Sequence, residues 1–446
     1  MSCFFFTGKL LTFGTIGLCL ILFGLLVIVI NPITVVKNHR TKLSNGSEIY
    51  HLLEVRDSPG IKIAVYLFNV TNTHEFLSGQ DTKLKVEETM ASMITTYPYF
   101  TRLAFSLLLT HLNTKAIVNQ TAEEFLWGYD EPLIKLGNTV LPGWISFNTL
   151  GLLDRLYDKN VEYQIEVKTN SDERFKIKSM NSVPGLKAWE YEEPNRRSNC
   201  NTFTDVYEGI GYPIDFPRGA PVKIFRNVLC RFLPLEYQGV KTYEHGVQGH
   251  SYRIREDAYS YNNDTECLCS GGICIDGVSD LSPCFYKLPL AISNAHFLYA
   301  DPSLYSRVEG IKPDEKKHGS EFVIEPKLGM ALETKFSVQV NIVVKHIDFN
   351  TETGRFSDMV VPVCHFKMMQ LELNDQHKHD LKLLYLVVPY ALWGSVAVVI
   401  LVGFFLVGYS IHLFLCDWIY SRAIIFQTPE GGKVHVIPSA VPLLSL

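Results

Sequence analysis

The ten cysteines are the residues of this 446-residue chain whose spacing most clearly concentrates chemistry. Six of them fall between Cys200 and Cys284, at positions 200, 230, 267, 269, 274 and 284. An even cluster of this kind in an oxidising compartment forms disulfides, and six cysteines admit 15 pairings, among which spacing alone does not choose. The competing chemistry is a zinc site of Cys267, Cys269, Cys274 and Cys284. That site needs a reducing compartment and more regular pairs than C-x-C-x4-C-x9-C offers. Cys364 is left over in VVPVCHF, a strand-like run in which a thiol serves as a small apolar side chain. His377 and His379 in NDQHKHD could meet a metal, but the segment reads as a solvated linker. There is no Gly-x-Ser-x-Gly elbow, His-Glu-x-x-His helix, phosphate loop or carboxylate pair that asks for a catalytic role. The reading is therefore of a non-enzyme with no catalytic residues, no cofactor and no metal.

Disulfide chemistry requires the secretory route, and two apolar stretches supply it. Leu10 to Ile30 is 21 residues without a charge. At about 1.5 Å per residue such a helix crosses a hydrocarbon core of roughly 30 Å. A cleaved signal peptide is the alternative, but NPITVVKNHR after Ile30 offers no small-x-small cleavage site, so an uncleaved signal anchor is expected. The second stretch, Leu383 to Cys416, is 34 residues without a formal charge, more than one perpendicular span needs. Pro389 suggests a regular helix beginning near Tyr390 and running to about Leu413, with Tyr385, Tyr390 and Trp393 at one interface and Tyr409, Trp418 and Tyr420 at the other. The expected organisation is a cytosolic tail 1–9, a span 10–30, an ectodomain 31–382, a span 383–416 and a cytosolic tail 417–446. Sequons at Asn45, Asn69, Asn119 and Asn263 all lie in the central segment and agree with its translocation. Cys3 and Cys416, near the cytosolic face, are candidates for palmitoylation. The net charge of −5, with Lys and Arg scattered, excludes the basic stripe of a nucleic-acid binder.

Within the ectodomain, period-two patterning dominates. In KFSVQVNIVV, Phe336, Val338, Val340, Ile342 and Val344 share one face and Ser337, Gln339 and Asn341 the other, which predicts a half-buried strand. Similar runs at Ile61 to Phe68, Tyr163 to Val167 and Phe322 to Ile324 predict a large antiparallel sheet or barrel. Helices are fewer: Phe100 to Leu112 has helical composition, and Thr121-Ala-Glu-Glu124 has the form of a capping box. The fold class is α+β.

Four long motifs, EFLWGYDEPL from Glu124, AHFLYADP from Ala295, EPKLGMAL from Glu325 and the strand FSVQVNIVV that follows, resemble the class B scavenger receptors. That family includes fatty acid translocase, lysosomal integral membrane protein and the sensory neuron membrane proteins. The resemblance implies an antiparallel β-barrel ectodomain pierced by an apolar tunnel, a helical apex that meets ligand, and two flanking transmembrane helices. Carried over residue by residue, it implies bridges Cys200 to Cys267, Cys230 to Cys284 and Cys269 to Cys274. It also points to basic side chains near the apex, where Lys115, Arg102, His111, Arg155 and Lys159 fall. The implied function is binding and uptake or transfer of lipids, fatty acids or lipoprotein particles by a membrane-integral receptor that could oligomerise. The plasma membrane is the expected location and the lysosomal or endosomal membrane the alternative. One departure stands out: relatives continue from a stretch like KLKVEE (Lys83 to Glu88) into several further strands, whereas here Thr89 enters the helical region almost at once. About fifty residues are missing at that point by this reading, which would leave strand edges unpaired. A two-span, ligand-gated channel subunit shares the topology, but the second span offers few polar residues besides Ser395 and Ser410 to line a pore.

Overall fold

The computed structural model describes residues 2–42, 62–90, 100–101, 117–118, 120–130, 139, 149–153, 163–170, 172–262, 265–269, 274–285, 288–347, 351–370 and 375–425. Helices α1 (Ser2–Ile30) and α2 (Pro32–Arg40) open the chain, α3 (Ala122–Trp127) and α4 (Glu315–His318) lie within it, and α5 (Asp375–Lys382) and α6 (Val388–Ile425) close the described part. The chain divides into two compact units, Met1–Val36 with Leu386–Leu446, and Lys37–Tyr385.

In the first unit α1 packs against α6, and both contain stretches long and apolar enough to cross a membrane. Small residues set the approach of the two helices. A methyl group on Gly17 would stand 2.7 Å from the Gly403 carbonyl oxygen, and one on Gly403 2.8 Å from that of Gly17, so only glycine fits at the crossing. Phe13 and Tyr409 meet edge to face at 5.9 Å further along. Asn31 ends α1 in the left-handed region, φ 47°, and Pro32 opens α2 with its φ already suited to a helix. The long helix begins at Val388, close to the expected start near Tyr390, but what precedes it is helical too. Helix α5 leads into a π-turn at Leu383–Val387 and then into α6, with Pro389 as its second residue. The wider π-turn lies where the proline ring would otherwise meet the carbonyl four residues back.

The second unit is built on an 11-stranded sheet. Its strands are β1 (Lys62–Val70), β2 (Leu84–Met90), β3 (Val222–Arg226), β4 (Arg231–Thr242), β5 (Gln248–Ile254), β6 (Ser279–Asp280), β7 (Leu290–Ser293), β8 (Val308–Glu309), β9 (Glu321–Glu325), β10 (Met330–Val344) and β11 (Met359–Gln370). The order is β8-β2-β1-β11-β10-β9-β5-β4-β3, with β6 and β7 branching from β10. All pairings are antiparallel except β8 with β2. Strand β10 organises the sheet: β11 runs along one side of it, while β9 pairs its first half and β7 its second. Among the described residues the sheet is open, because β3 and β8 do not pair with each other. The barrel closure and tunnel implied by the resemblance are therefore not displayed, and the α+β, mainly antiparallel description stands.

Three local expectations are corrected. Strand β10 is buried on both faces, since Ser337, Gln339 and Asn341 are each 0% exposed. Its polar face is covered by the segment between β7 and β9 rather than by water; a side-chain network satisfies Gln339 and Asn341, whereas the Ser337 hydroxyl has no partner among the described residues. Phe100–Thr101 form a short strand paired with Ile117–Val118; the rest of the expected helix lies outside the described residues. Strand β2 continues through Glu88 and Thr89 to Met90, paired with β1, so no helix starts at Thr89. Its other side pairs with β8 only at Leu84 and Lys85. The remainder of that side, Val86 to Met90, has no strand partner among the described residues. The capping box on α3 is present: the Thr121 hydroxyl accepts the Glu124 N–H at 3.1 Å and the Glu124 carboxylate accepts the Thr121 N–H at 2.9 Å.

One face of the sheet carries the main apolar core, where Leu67, Leu233, Tyr252, Val338 and Cys364 are at most 3% exposed or close to it. Beside it lies a lobe with Trp189, Phe203, Phe225 and Phe232, in which the three phenylalanine rings contact one another edge to face or tilted. The Trp189 indole N–H donates to the Cys230 carbonyl at 2.7 Å, tying this lobe to the disulfide region.

Candidate functional site

The opposite face of the same strands holds a different set of groups: one carboxylate and three imidazoles. Cross-strand register aligns Gln339 of β10, His365 of β11 and Tyr66 of β1, and the His365 and Tyr66 rings stack at 4.5 Å. Glu88 on β2 faces Phe68 of β1, one diagonal step away. His296 arrives from the turn after β7, and His318 ends α4.

His296 occupies a strained backbone. It has φ 52°, and Phe297 and Tyr299 are also left-handed, at 54° and 68°. Non-glycine residues persist in that region only where surroundings over-determine them. Here the Gln339 Oε1 accepts the His296 N–H at 2.7 Å, Gln339 Nε2 donates to Asn341 Oδ1 at 2.7 Å, and Asn341 Nδ2 donates to Ser293 Oγ at 3.0 Å. The buried polar face of β10 thus holds the histidine in place. This local strain, with three left-handed residues in four, marks a position kept for its side chain.

His365 Nδ1 lies 2.6 Å from Glu88 Oε1, and His296 Nε2 lies 3.0 Å from the same oxygen without the alignment of a hydrogen bond. His318 stacks on His296, ring centres 4.1 Å apart and 9° from parallel. The three imidazole residues are 3–7% exposed. Burial by itself pushes the Glu88 carboxyl up, but the bond with His365 and the close approach of His296 outweigh it and hold it well below the usual carboxylate range. Burial, with repulsion from His296 and His365, pushes His318 down to about 4, against the pull of Glu88 and Asp314.

Three of these side chains, Glu88, His296 and His318, lie close enough to suggest a divalent ion. Their tautomers oppose it. His296 Nδ1 accepts the Lys312 N–H and His318 Nδ1 accepts the Asp314 N–H, both at 3.1 Å. Each neutral ring therefore keeps its proton on Nε2, whereas a ring that ligates through Nε2 needs the proton on Nδ1, donated to an acceptor. The arrangement instead gathers three imidazoles around one carboxylate and clamps β2 and β11 to the segment between β7 and β9. His365 Nε2 is buried without a partner among the described residues, so this clamp still has an unsatisfied position there. None of the four residues carried a local sequence signal, although KLKVEE and AHFLYADP contain two of them.

Of the site residues expected from sequence, the structure brings together Cys200 with Cys267, Cys230 with Cys284 and Cys269 with Cys274, at Cα separations of 6.2, 6.4 and 5.2 Å. Cys364 is a free, fully buried thiol whose pKa burial pushes upward. Asn69 is half-buried in β1, with its side-chain oxygen sequestered. Cys416 is exposed on α6, and Cys3 lies in α1. Lys115, Arg102, His111, Arg155, Lys159, Asn45, Asn119 and Asn263 lie outside the described residues.

Comparison with known proteins supplies the wider setting. A family model described as the CD36 family matches residues 15–89 and 88–414, and the two matches meet at the same place as the departure in β2. Scavenger receptor class B member 1 of Mus musculus is 26% identical over 274 residues, 60% of this chain and 52% of that protein. Protein peste of Drosophila melanogaster is 26% identical over 257 residues, 55% of this chain and 44% of that protein. Lysosome membrane protein 2 of Homo sapiens is 25% identical over 272 residues, 59% and 54% of the two chains. The chain spans about half the length of these relatives. With a family match running through both apolar helices and the whole sheet, this chain belongs to the CD36 family, the class B scavenger receptors.

Proposed function

We propose that this protein is a membrane receptor that binds lipids, fatty acids or lipoprotein particles and takes them up or transfers them to the bilayer. The observation that carries this reading is the family match over residues 15–89 and 88–414, together with an apolar helix at each end. In this proposal residues 10–30 and 383–416 span the membrane, the tails are cytosolic, and the segment 31–382 lies outside. Asn45, Asn69, Asn119 and Asn263 carry glycans, Cys3 and Cys416 are palmitoylated, and the plasma membrane is the site of action. The apex residues Lys115, Arg102, His111, Arg155 and Lys159 meet anionic ligand surfaces, and an apolar passage guides the chain of the lipid. The driving force is transfer of acyl chain from water, about 0.8 kcal/mol per methylene. The protein works by binding and not by catalysis.

The test is photolabelling of the detergent-purified full chain with a diazirine fatty acid. Saturable labelling that unlabelled fatty acid displaces is the expected result, and labelling equal to that of a heat-denatured control would refute it. Exchanging all five apex basic residues for glutamine should then lower capture of anionic lipoprotein without changing labelling by free fatty acid.

A further inference from the structure

Arg231 opens β4 beside Cys230 and is 2% exposed. One of its Nη groups donates to the Ala258 carbonyl, and the guanidinium carbon lies 5.0 Å from the centre of the Tyr259 ring. Among the described residues its Nε–H has no partner, and neither has the hydroxyl of Tyr259, itself 3% exposed. Both residues line a cavity of about 20 Å³, together with Ser260, Thr265, Ser279 and Asp280. A space of that size holds one water or one monatomic ion.

The charge balance of this cavity is incomplete. Among the described residues no carboxylate forms an ion pair with Arg231. Asp280, on the same lining, accepts the Ser282 N–H and hydroxyl on its Oδ1. Burial pushes the guanidinium down to about 10, which still leaves it a cation at neutral pH. A buried cation without a counter-charge is among the costliest groups a fold can hold, and arginine does not escape by losing its proton. An orphaned guanidinium N–H and an orphaned phenol O–H are both donors, and both suit an acceptor carrying negative charge.

We infer that this cavity is a binding site for a small monovalent inorganic anion, with chloride as the common member of the class. The Arg231 guanidinium supplies the charge and the Tyr259 hydroxyl a second donor. The site is independent of the lipid-binding proposal. It lies against the Cys269–Cys274 bridge, so the ion helps to set the disulfide-rich lobe.

Thermal unfolding of the detergent-purified full chain tests it, in sodium chloride, bromide and gluconate at constant ionic strength. Chloride and bromide should raise the midpoint saturably, on the order of 3 °C, and gluconate, too large for the cavity, should not. Tyr259→Phe removes one donor and should raise the half-saturating chloride concentration about tenfold; Arg231→Met should abolish the response. Equal midpoints in all three salts would overturn the proposal in favour of a water bridging Arg231 to Asp280. A halide response unchanged in Tyr259→Phe would overturn it by placing the ion elsewhere, and that variant decides the matter if Arg231→Met does not fold.

Discussion

Replacing His318 with asparagine isolates the proton linkage of the carboxylate–histidine clamp. His318 is 7% exposed and faces His296 from the turn after β7, Glu88 from β2, His365 from β11 and Asp314 from the N-cap of its own helix. An unfolded histidine titrates near 6.5, whereas this one is held at about 4. As pH falls from 7.5, the unfolded chain takes up a proton that the folded chain refuses until about pH 4. Stability therefore declines through that window, by about 2 kcal/mol at pH 5. Glu88 shifts stability in the same direction but in a lower window: its depressed carboxyl contributes fully above the unfolded value near 4.5 and loses that contribution only in stronger acid. Between pH 7.5 and 5 the two groups are thus separable. Asparagine keeps an acceptor where Nδ1 receives the Asp314 N–H, and it does not titrate. The assay is thermal unfolding of the full chain in detergent at pH 7.5 and 5.0. His318→Asn should be less stable at pH 7.5, because the stack on His296 is lost, but its midpoint should fall less on acidification, by on the order of 4 °C. A variant with the same pH slope as the parent would show that His318 is not the group refusing the proton.

Gly17→Leu should separate α1 from α6, because the side chain would occupy the space of the Gly403 backbone; cysteine crosslinking between the two helices should drop while both still insert. Tyr385→Phe removes the hydroxyl that donates to the fully buried Glu325, leaving that carboxylate with the N–H groups of Lys327 and Leu328. The expected cost is about 1–3 kcal/mol, read as a lower unfolding midpoint; an unchanged midpoint would show that this bond does not stabilise the fold. Cys200→Ser combined with Cys267→Ser opens a 67-residue loop and should cost roughly 4 kcal/mol, seen as a fall in midpoint and faster proteolysis between those positions.

The parts of the structure legible from sequence are those governed by local pattern. The apolar helices follow from uninterrupted hydrophobicity, the strands around Val65, Val323 and Val338 from period two, and the capping box at Thr121 from two residues three apart. Burial of β10 on both faces was not legible, because alternation of apolar and polar residues is the same whether the polar face meets water or a covering segment. The π-turn before Pro389 was hidden for a related reason: a proline signals strain in a helix but not how the preceding turn relieves it.

The sequence by itself determined that this chain has an apolar helix at each end, a cysteine-rich central segment and a sheet-forming interior, since each follows from residue type and near-neighbour spacing. Tertiary structure alone decided which groups share an environment. Glu88 and His365 are 277 residues apart and meet at 2.6 Å only because β1 lies between β2 and β11. Arg231 becomes an unpaired interior cation only once β4 and the segment around Tyr259 close over it. Charge, strain and proton affinity at such places depend on long-range pairing, which no local period encodes.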